Sequence, residues 1–248
     1  MRVALFVPCY VDQFYPNVAI ATLRLLQKLG LDVDFPEKQT CCGQPMANGG
    51  FEDLTTGCNR NFIQNFDGYD YVVSPSGSCV LHVKEHLHDA SNEVAASSIR
   101  SRVYELCEFL TDVLKMQQLD ASFRARVALH QGCHGQRGLQ LGSSSERMLP
   151  YFSKPMQLLK MVKGIEMVPL MRGDECCGFG GTFCVTEEAV SVAMGNSKIS
   201  DYMQHGAQVL TGTDMSCLMH QEGLLRRQQL PIRVMHIAEI LCGNSQVK

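Results

Sequence analysis

Cysteine is the residue type in this chain that could do chemistry. There are 12 in 248 residues, and eight fall into two matching sets: Cys9, Cys41, Cys42, Cys79 and Cys133, Cys176, Cys177, Cys217. In each set a single cysteine is followed by a Cys-Cys-Gly triplet (Cys41-Cys42-Gly43, Cys176-Cys177-Gly178) and then by Ser-Cys (Ser78-Cys79, Ser216-Cys217). Four thiolates suit zinc or an iron–sulfur cluster. Zinc usually draws its ligands in spaced pairs, whereas adjacent cysteines diverge and would strain one tetrahedral ion. A cluster offers several irons, so neighbouring thiolates can bind different ones. The pattern therefore favours two iron–sulfur clusters, with zinc in one or both sites as the alternative. Gly43, Gly178, Gly180 and Gly181 are the cofactor-binding glycines this reading needs. Gly43 and Gly178 free the backbone beside the cysteines. Phe179-Gly180-Gly181-Thr182 and Ser76-Gly77-Ser78 can turn N–H groups toward cluster sulfurs, which tunes reduction potential.

The other four cysteines, Cys58, Cys107, Cys184 and Cys242, have no counterpart and read as small buried hydrophobes. Cys58 and Cys184 lie nearer the clusters in sequence. Arg137 and Lys198 are candidate carboxylate-binding cations near the second set, and the scattered methionines read as core filler.

The elements that must position these thiols are written twice. Arg2-Val3-Ala4-Leu5-Phe6 returns as Arg126-Val127-Ala128-Leu129-His130, and each copy runs into its first cysteine. Ser78-Cys79-Val80-Leu81-His82 returns as Ser216-Cys217-Leu218-Met219-His220. Val103-Tyr104-Glu105-Leu106-Cys107-Glu108-Phe109-Leu110 is echoed by Val234-Met235-His236-Ile237-Ala238-Glu239-Ile240-Leu241. A duplicated unit follows, with repeats over 1–120 and 121–248. In the first copy, residues 2–7, 32–35 and 70–74 read as strands, and 17–29 and 51–66 as helices. Strands alternating with helices predict an α/β protein of two duplicated Rossmann-like three-layer half-domains, with parallel sheets related by a pseudo-twofold repeat. Loops beyond the carboxyl ends of such strands converge on one crevice, so three loops can gather four distant thiols. Residues 84–102, polar and rich in Ala, Ser and Asn, read as a lid or connector.

Composition narrows the function. A formal net charge of −3 and a pI near 6.2 argue against a nucleic-acid partner. No apolar run reaches the roughly 18–20 residues of a membrane span, and Met1–Cys9 is too short for a signal peptide, so a cytoplasmic protein is expected. There thiols stay reduced, which favours metal over a disulfide framework. Neither Gly-x-Gly-x-x-Gly, a phosphate loop nor a Gly-x-Ser-x-Gly elbow occurs.

The spacing Cys9…Cys41-Cys42-Gly43…Cys79, with its second copy, resembles the cysteine-rich domain (CCG) family. That family includes the cysteine-rich component of heterodisulfide reductase and the iron–sulfur components of glycolate oxidase and anaerobic glycerol-3-phosphate dehydrogenase. Phe35-Pro36-Glu37-Lys38-Gln39, Cys176-Cys177-Gly178-Phe179-Gly180-Gly181-Thr182-Phe183 and Val234-Met235-His236-Ile237-Ala238-Glu239 are similar to its lactate-utilisation group. The resemblance implies a bacterial oxidoreductase subunit without complete activity alone. It would act with a LutB-like iron–sulfur subunit and a LutC-like subunit in oxidising L-lactate to pyruvate. The family pattern ends in Cys-x2-Cys, of which one cysteine is missing from each half here. Ser76 and Asp214, or His82 and His220, stand in its place, as ligands, hydrogen-bonding neighbours or caps. Four cysteines per half suffice for a [4Fe–4S] cluster. Two rival readings are thiol–disulfide chemistry at the clusters, which needs a pocket between the halves, and a zinc-stabilised scaffold.

Overall fold

Short apolar runs become strands in this chain because both their faces are covered. In the computed structural model, which describes residues 1–243, Val3, Ala4 and Leu5 are at most 2% exposed and form the body of β1 (Arg2–Leu5). β1 lies between β2 (Asp32–Asp34) and β3 (Tyr71–Ser74), with β4 (Val103–Glu105) at the far edge, all parallel in the order β2-β1-β3-β4. The second sheet repeats that order as β6-β5-β7-β8, from β5 (Ser122–His130), β6 (Lys163–Met167), β7 (Val209–Gly212) and β8 (Arg233–His236). Parallel neighbours require crossovers, and the helices that make them cover both sheet faces. The α/β architecture of two similar halves is thus as expected.

Two local expectations change. Among the described residues each half has four strands and not three, because β4 is too short for periodicity to announce; its buried Val103 pairs with Val72. Residues 84–102 are no lid. They hold the end of the helix Gly77–His86 and all of the helix Glu93–Arg100, the crossover that delivers the chain to β4. Asn92 caps that helix by accepting from the Ala95 N–H, and Ala95, Ala96 and Ile99 bury its inner face in the core that holds Phe62 and Ile63. Three small or β-branched residues make this apolar stripe, so composition alone reads as polar.

The halves share their interior. One core joins Val3, Leu25, Leu26 and Leu106 to Leu129, Leu158, Ile237 and Leu241, and another joins Leu5, Val11 and Val18 to Ala128, Ile199 and Leu210. The terminal helix Ile237–Cys242 packs on the first-half helix Pro16–Lys28, and Leu106–Glu108 packs on the second-half helix Lys154–Leu159. Close approach is permitted by glycine: a Cβ on Gly138 would meet Leu81 at 2.3 Å, and one on Gly77 would meet Gly135 at 3.3 Å.

This shared interior makes a prediction. Leu25 is fully buried where the halves meet, so Leu25→Ala should cost about 2–5 kcal/mol. Urea unfolding followed by fluorescence and circular dichroism should shift as one transition. Two separated transitions, with only one shifted, would mean that the halves fold independently.

Candidate metal centres

Each cysteine set is assembled from the carboxyl ends of neighbouring strands. Beyond β1, Pro8 turns the chain into the helix Cys9–Phe14, and beyond β3 the helix Gly77–His86 carries Cys79 in its first turn. Cys41 and Cys42 follow β2 and end at Gly43, whose φ of +94° only glycine adopts readily. Gln39 ties these segments together: its amide accepts from the Val7 N–H at 2.7 Å and donates to the Leu5 carbonyl at 3.1 Å. In the second half Cys133 follows β5, Cys176 and Cys177 follow β6, and Cys217 opens the helix Met215–Arg227 after β7. Placing Cys79 and Cys217 in first helical turns sets partial positive charge beside both sulfurs.

The four thiols of each half form a chain of contacts. Cys9 Sγ and Cys41 Sγ are 3.8 Å apart, and Cys42 bonds to both Cys41 and Cys79. Likewise Cys176 meets Cys133 and Cys177, and Cys177 meets Cys217. The N–H groups of Gly43 and Gly178 each lie 3.4 Å from the first sulfur of their pair, and Phe179 N–H lies 3.5 Å from Cys177 Sγ. Protons are unevenly held. Bonds from Cys42 and Cys9 drive Cys41 far below the ordinary thiol value, and bonds from Cys133 and Cys177 do so for Cys176. Their partners move the other way: the bond to Cys41 and then burial push Cys9 up, and the bonds to Cys41 and Cys79 push Cys42 up.

Both sets open on one cavity of about 460 Å³, lined by Cys9, Cys42 and Cys79 on one side and Cys133, Cys176, Cys177 and Cys217 on the other. Neither lysine nor arginine is among its described lining residues, and its one carboxylate is Asp214. Four clustered thiols, with His134 beside Cys133 and no lysine or arginine among the cavity's described lining residues, cannot all ionise unless a metal supplies positive charge, so this donor set fits a metal centre in each half.

The other sequence candidates separate clearly. Gly180 (φ +55°) and Gly181 (φ +65°) line the cavity. Ser76 and Asp214 are helix N-caps, Ser76 Oγ accepting from Cys79 N–H and Asp214 from Ser216 N–H. They also meet across the halves, with Asp214 Oδ2 accepting from Ser78 N–H at 2.7 Å and from Ser76 Oγ at 3.4 Å. His82 stacks on His86 and interacts with the Cys42 backbone, and burial brings it down to about 4. His220 lies 3.5 Å from Ser191 Oγ, behind Gly178. Arg137 is held by Glu146 at 2.6 Å and by Asp174, and Lys198 is buried, donating to the Arg172 carbonyl; neither lines the cavity. Cys107 and Cys242 are core residues. Cys58 lies under Gly43, and Cys184 donates to the Gly181 carbonyl, so both sit beside the sites and not in the core. One residue was missed: His130, 2% exposed, lies with Cys177 and Cys217 in a group whose ligand atoms are all within 4.8 Å of one another. Its signal was the last position of the first repeated pentapeptide, where the copies differ, Phe6 against His130.

The two triplet glycines differ in a testable way. A Cβ on Gly178 would stand 2.5 Å from the Ser191 carbonyl oxygen, whereas one on Gly43 meets only side-chain atoms, Thr55 at 3.2 Å and Cys58 at 3.5 Å. Both substitutions incur the left-handed penalty of about 1 kcal/mol. Gly178→Ala should lose about 1–3 kcal/mol more, because backbone must move. Equal losses in urea unfolding of the two metal-free variants would show that the Gly178 contact is not tight.

A family model of the cysteine-rich domain (CCG) matches residues 3–84 and 127–221. The chain is 42% identical to Lactate utilization protein A of Geobacillus sp. (strain WCH70) over 245 residues, 97% of this chain and 99% of that protein. It is 42% identical, with 97% and 99% covered, to Lactate utilization protein A of Bacillus licheniformis. The protein of that name from Exiguobacterium sp. is 42% identical over 246 residues, 97% and 96% of the two chains. Among solved structures, a hypothetical protein from Helicobacter pylori superposes with a TM-score of 0.59 at 12% identity, over 99% of this chain and 49% of that one. That likeness is one of fold.

Proposed function

The chain belongs to the cysteine-rich domain (CCG) family, and from that premise we propose that it is an electron-transfer subunit of a system oxidising L-lactate to pyruvate. The observation that carries the reading is that two sets of four clustered thiols adjoin a single cavity with no lysine or arginine among its described lining residues. Cys9, Cys41, Cys42 and Cys79 would hold one [4Fe–4S] cluster, and Cys133, Cys176, Cys177 and Cys217 the other. When bound, such clusters accept electrons one at a time. Oxidising lactate to pyruvate releases two electrons and two protons, and two one-electron sites in one chain match that count. The chain's own residues hold the thiols at strand ends, keep amide N–H groups of Gly43, Gly178 and Phe179 on the sulfurs, and bury Cys42, Cys79, Cys177 and Cys217. Hydride removal from lactate falls to partner subunits of the LutB-like and LutC-like kind. The cavity between the halves also favours a second reading, reduction of a small disulfide between the two sites.

Iron, acid-labile sulfide and zinc per chain after anaerobic purification test the first reading, with Cys42→Ser and Cys176→Ser alongside. About eight irons should fall to about four in each variant, as four irons per cluster require. Stoichiometric zinc without sulfide would leave a metal-stabilised interaction protein. Turnover of a small mixed disulfide by the reduced, iron-loaded chain alone would favour the second reading over electron relay.

A further inference from the structure

The two centres are not alike behind their cysteines. At the first, Phe6 meets Phe62 and Phe66 edge-to-face at 5.0 and 5.6 Å, and Val83, four residues after Cys79, completes an apolar wall. At the second, His130 takes the place of Phe6, Tyr202 meets it from the buried face of the helix Glu188–Gln204, and Gln221 stands four residues after Cys217. His130, Tyr202 and Gln221 are at most 2% exposed. Polar groups are placed in such a wall only at a cost, unless each has a partner.

Their hydrogen bonds fix one another in sequence. Gln221 Nε2 donates to the Cys217 carbonyl at 3.1 Å, which turns Oε1 toward Tyr202. Tyr202 donates its hydroxyl proton to that oxygen at 2.8 Å. Its own oxygen can then only accept, and His130 Nδ1 lies 3.5 Å from it. The imidazole therefore carries its proton on Nδ1 and a lone pair on Nε2, and Nε2 meets no oxygen or nitrogen partner among the described residues, only the sulfur side of the site where Cys217 interacts with the ring. A histidine oriented by a hydrogen bond through one nitrogen, with the other bare, is the arrangement found at metal ligands. His130 sits with Cys177 and Cys217 within 4.8 Å.

We propose that His130 gives the second centre a nitrogen ligand that the first centre lacks. This rests on the reading of both sites as iron–sulfur centres. Four irons of a cubane cluster take four protein ligands, so the imidazole would replace one thiol, Cys177 or Cys217, in the four-cysteine set given above for the second cluster, and that thiol would remain as a hydrogen-bonding neighbour. Replacing a thiolate by a neutral imidazole raises reduction potential. The second centre is then the one on which electrons come to rest, and the relay has a direction built into a repeat that is otherwise symmetrical.

Anaerobically purified full-length chain, grown with ¹⁵N-histidine and reduced, should show a ligand-strength nitrogen coupling in pulsed paramagnetic resonance. That coupling should shift with the isotope and appear at one of two centres. In His130→Phe it should vanish, and the higher of the two midpoint potentials should fall while the lower stays. Should the variant lose its second centre, the labelled wild-type spectrum decides alone. Iron and sulfide assays on the same samples separate the failures. Two full clusters without nitrogen coupling overturn the histidine ligand and leave the redox reading standing. Absence of iron and sulfide from the wild type overturns both.

Discussion

Clustered sulfur without a lysine or arginine to neutralise it is the constraint on which the rest of this molecule depends. A thiolate beside three other thiols raises the cost of ionising each, and the cavity offers no lysine or arginine among its described lining residues to lower it. What positive potential the protein does provide comes from backbone: the first turns that hold Cys79 and Cys217, and the amides of Gly43, Gly178 and Phe179. Partial charges of this kind can tune a metal centre but cannot replace its charge. The parallel sheet is the scaffold that makes the crowding attainable. In the order β2-β1-β3-β4 the chain reverses direction across the sheet beside β1, so loops after β1, β2 and β3 end at one place.

Duplication then sets two such places against each other. Because the cores run through both halves, with Leu25 and Leu26 packed in one cluster with Leu241, the sites are held in one body and not on a hinge. Glycines where Gly138 receives Leu81 and Gly77 meets Gly135 bring the two cysteine-bearing helical regions close together. A shared cavity follows from that proximity.

Much of this was legible in the sequence because the repeat compares each residue with its counterpart. It marked the eight cysteines, the paired Cys-Cys-Gly turns and the α/β alternation without any structure. Short or indirect signals were lost. β4 spans three residues, too few for a period to show, and the helix Glu93–Arg100 is amphipathic but short, with a buried stripe of Ala95, Ala96 and Ile99 that leaves its composition polar. Arg137 and Lys198 looked available for a substrate carboxylate because sequence does not show that Glu146 and the Arg172 carbonyl already hold them. His130 was visible as a departure from Phe6, but its meaning depends on Tyr202 and Gln221, residues distant in sequence that no spacing rule connects.

The same logic explains Ser76 and Asp214, which stand in corresponding places of the two copies. Both cap the helix that carries their own cysteine, so each sets the orientation of Cys79 or Cys217 through the first turn. Asp214 goes further, because one oxygen serves its own helix while the other accepts from Ser78 N–H and Ser76 Oγ in the opposite half. A cysteine at either position could not accept these bonds as well, since sulfur is a weak acceptor. With three N–H or O–H donors already on its two oxygens in addition to Ser216 Oγ, the Asp214 carboxylate has little left to offer a metal. Ser76 and Asp214 thus form a polar clamp between the two helix N-termini, and each set of thiols is drawn from the strand ends of its own half.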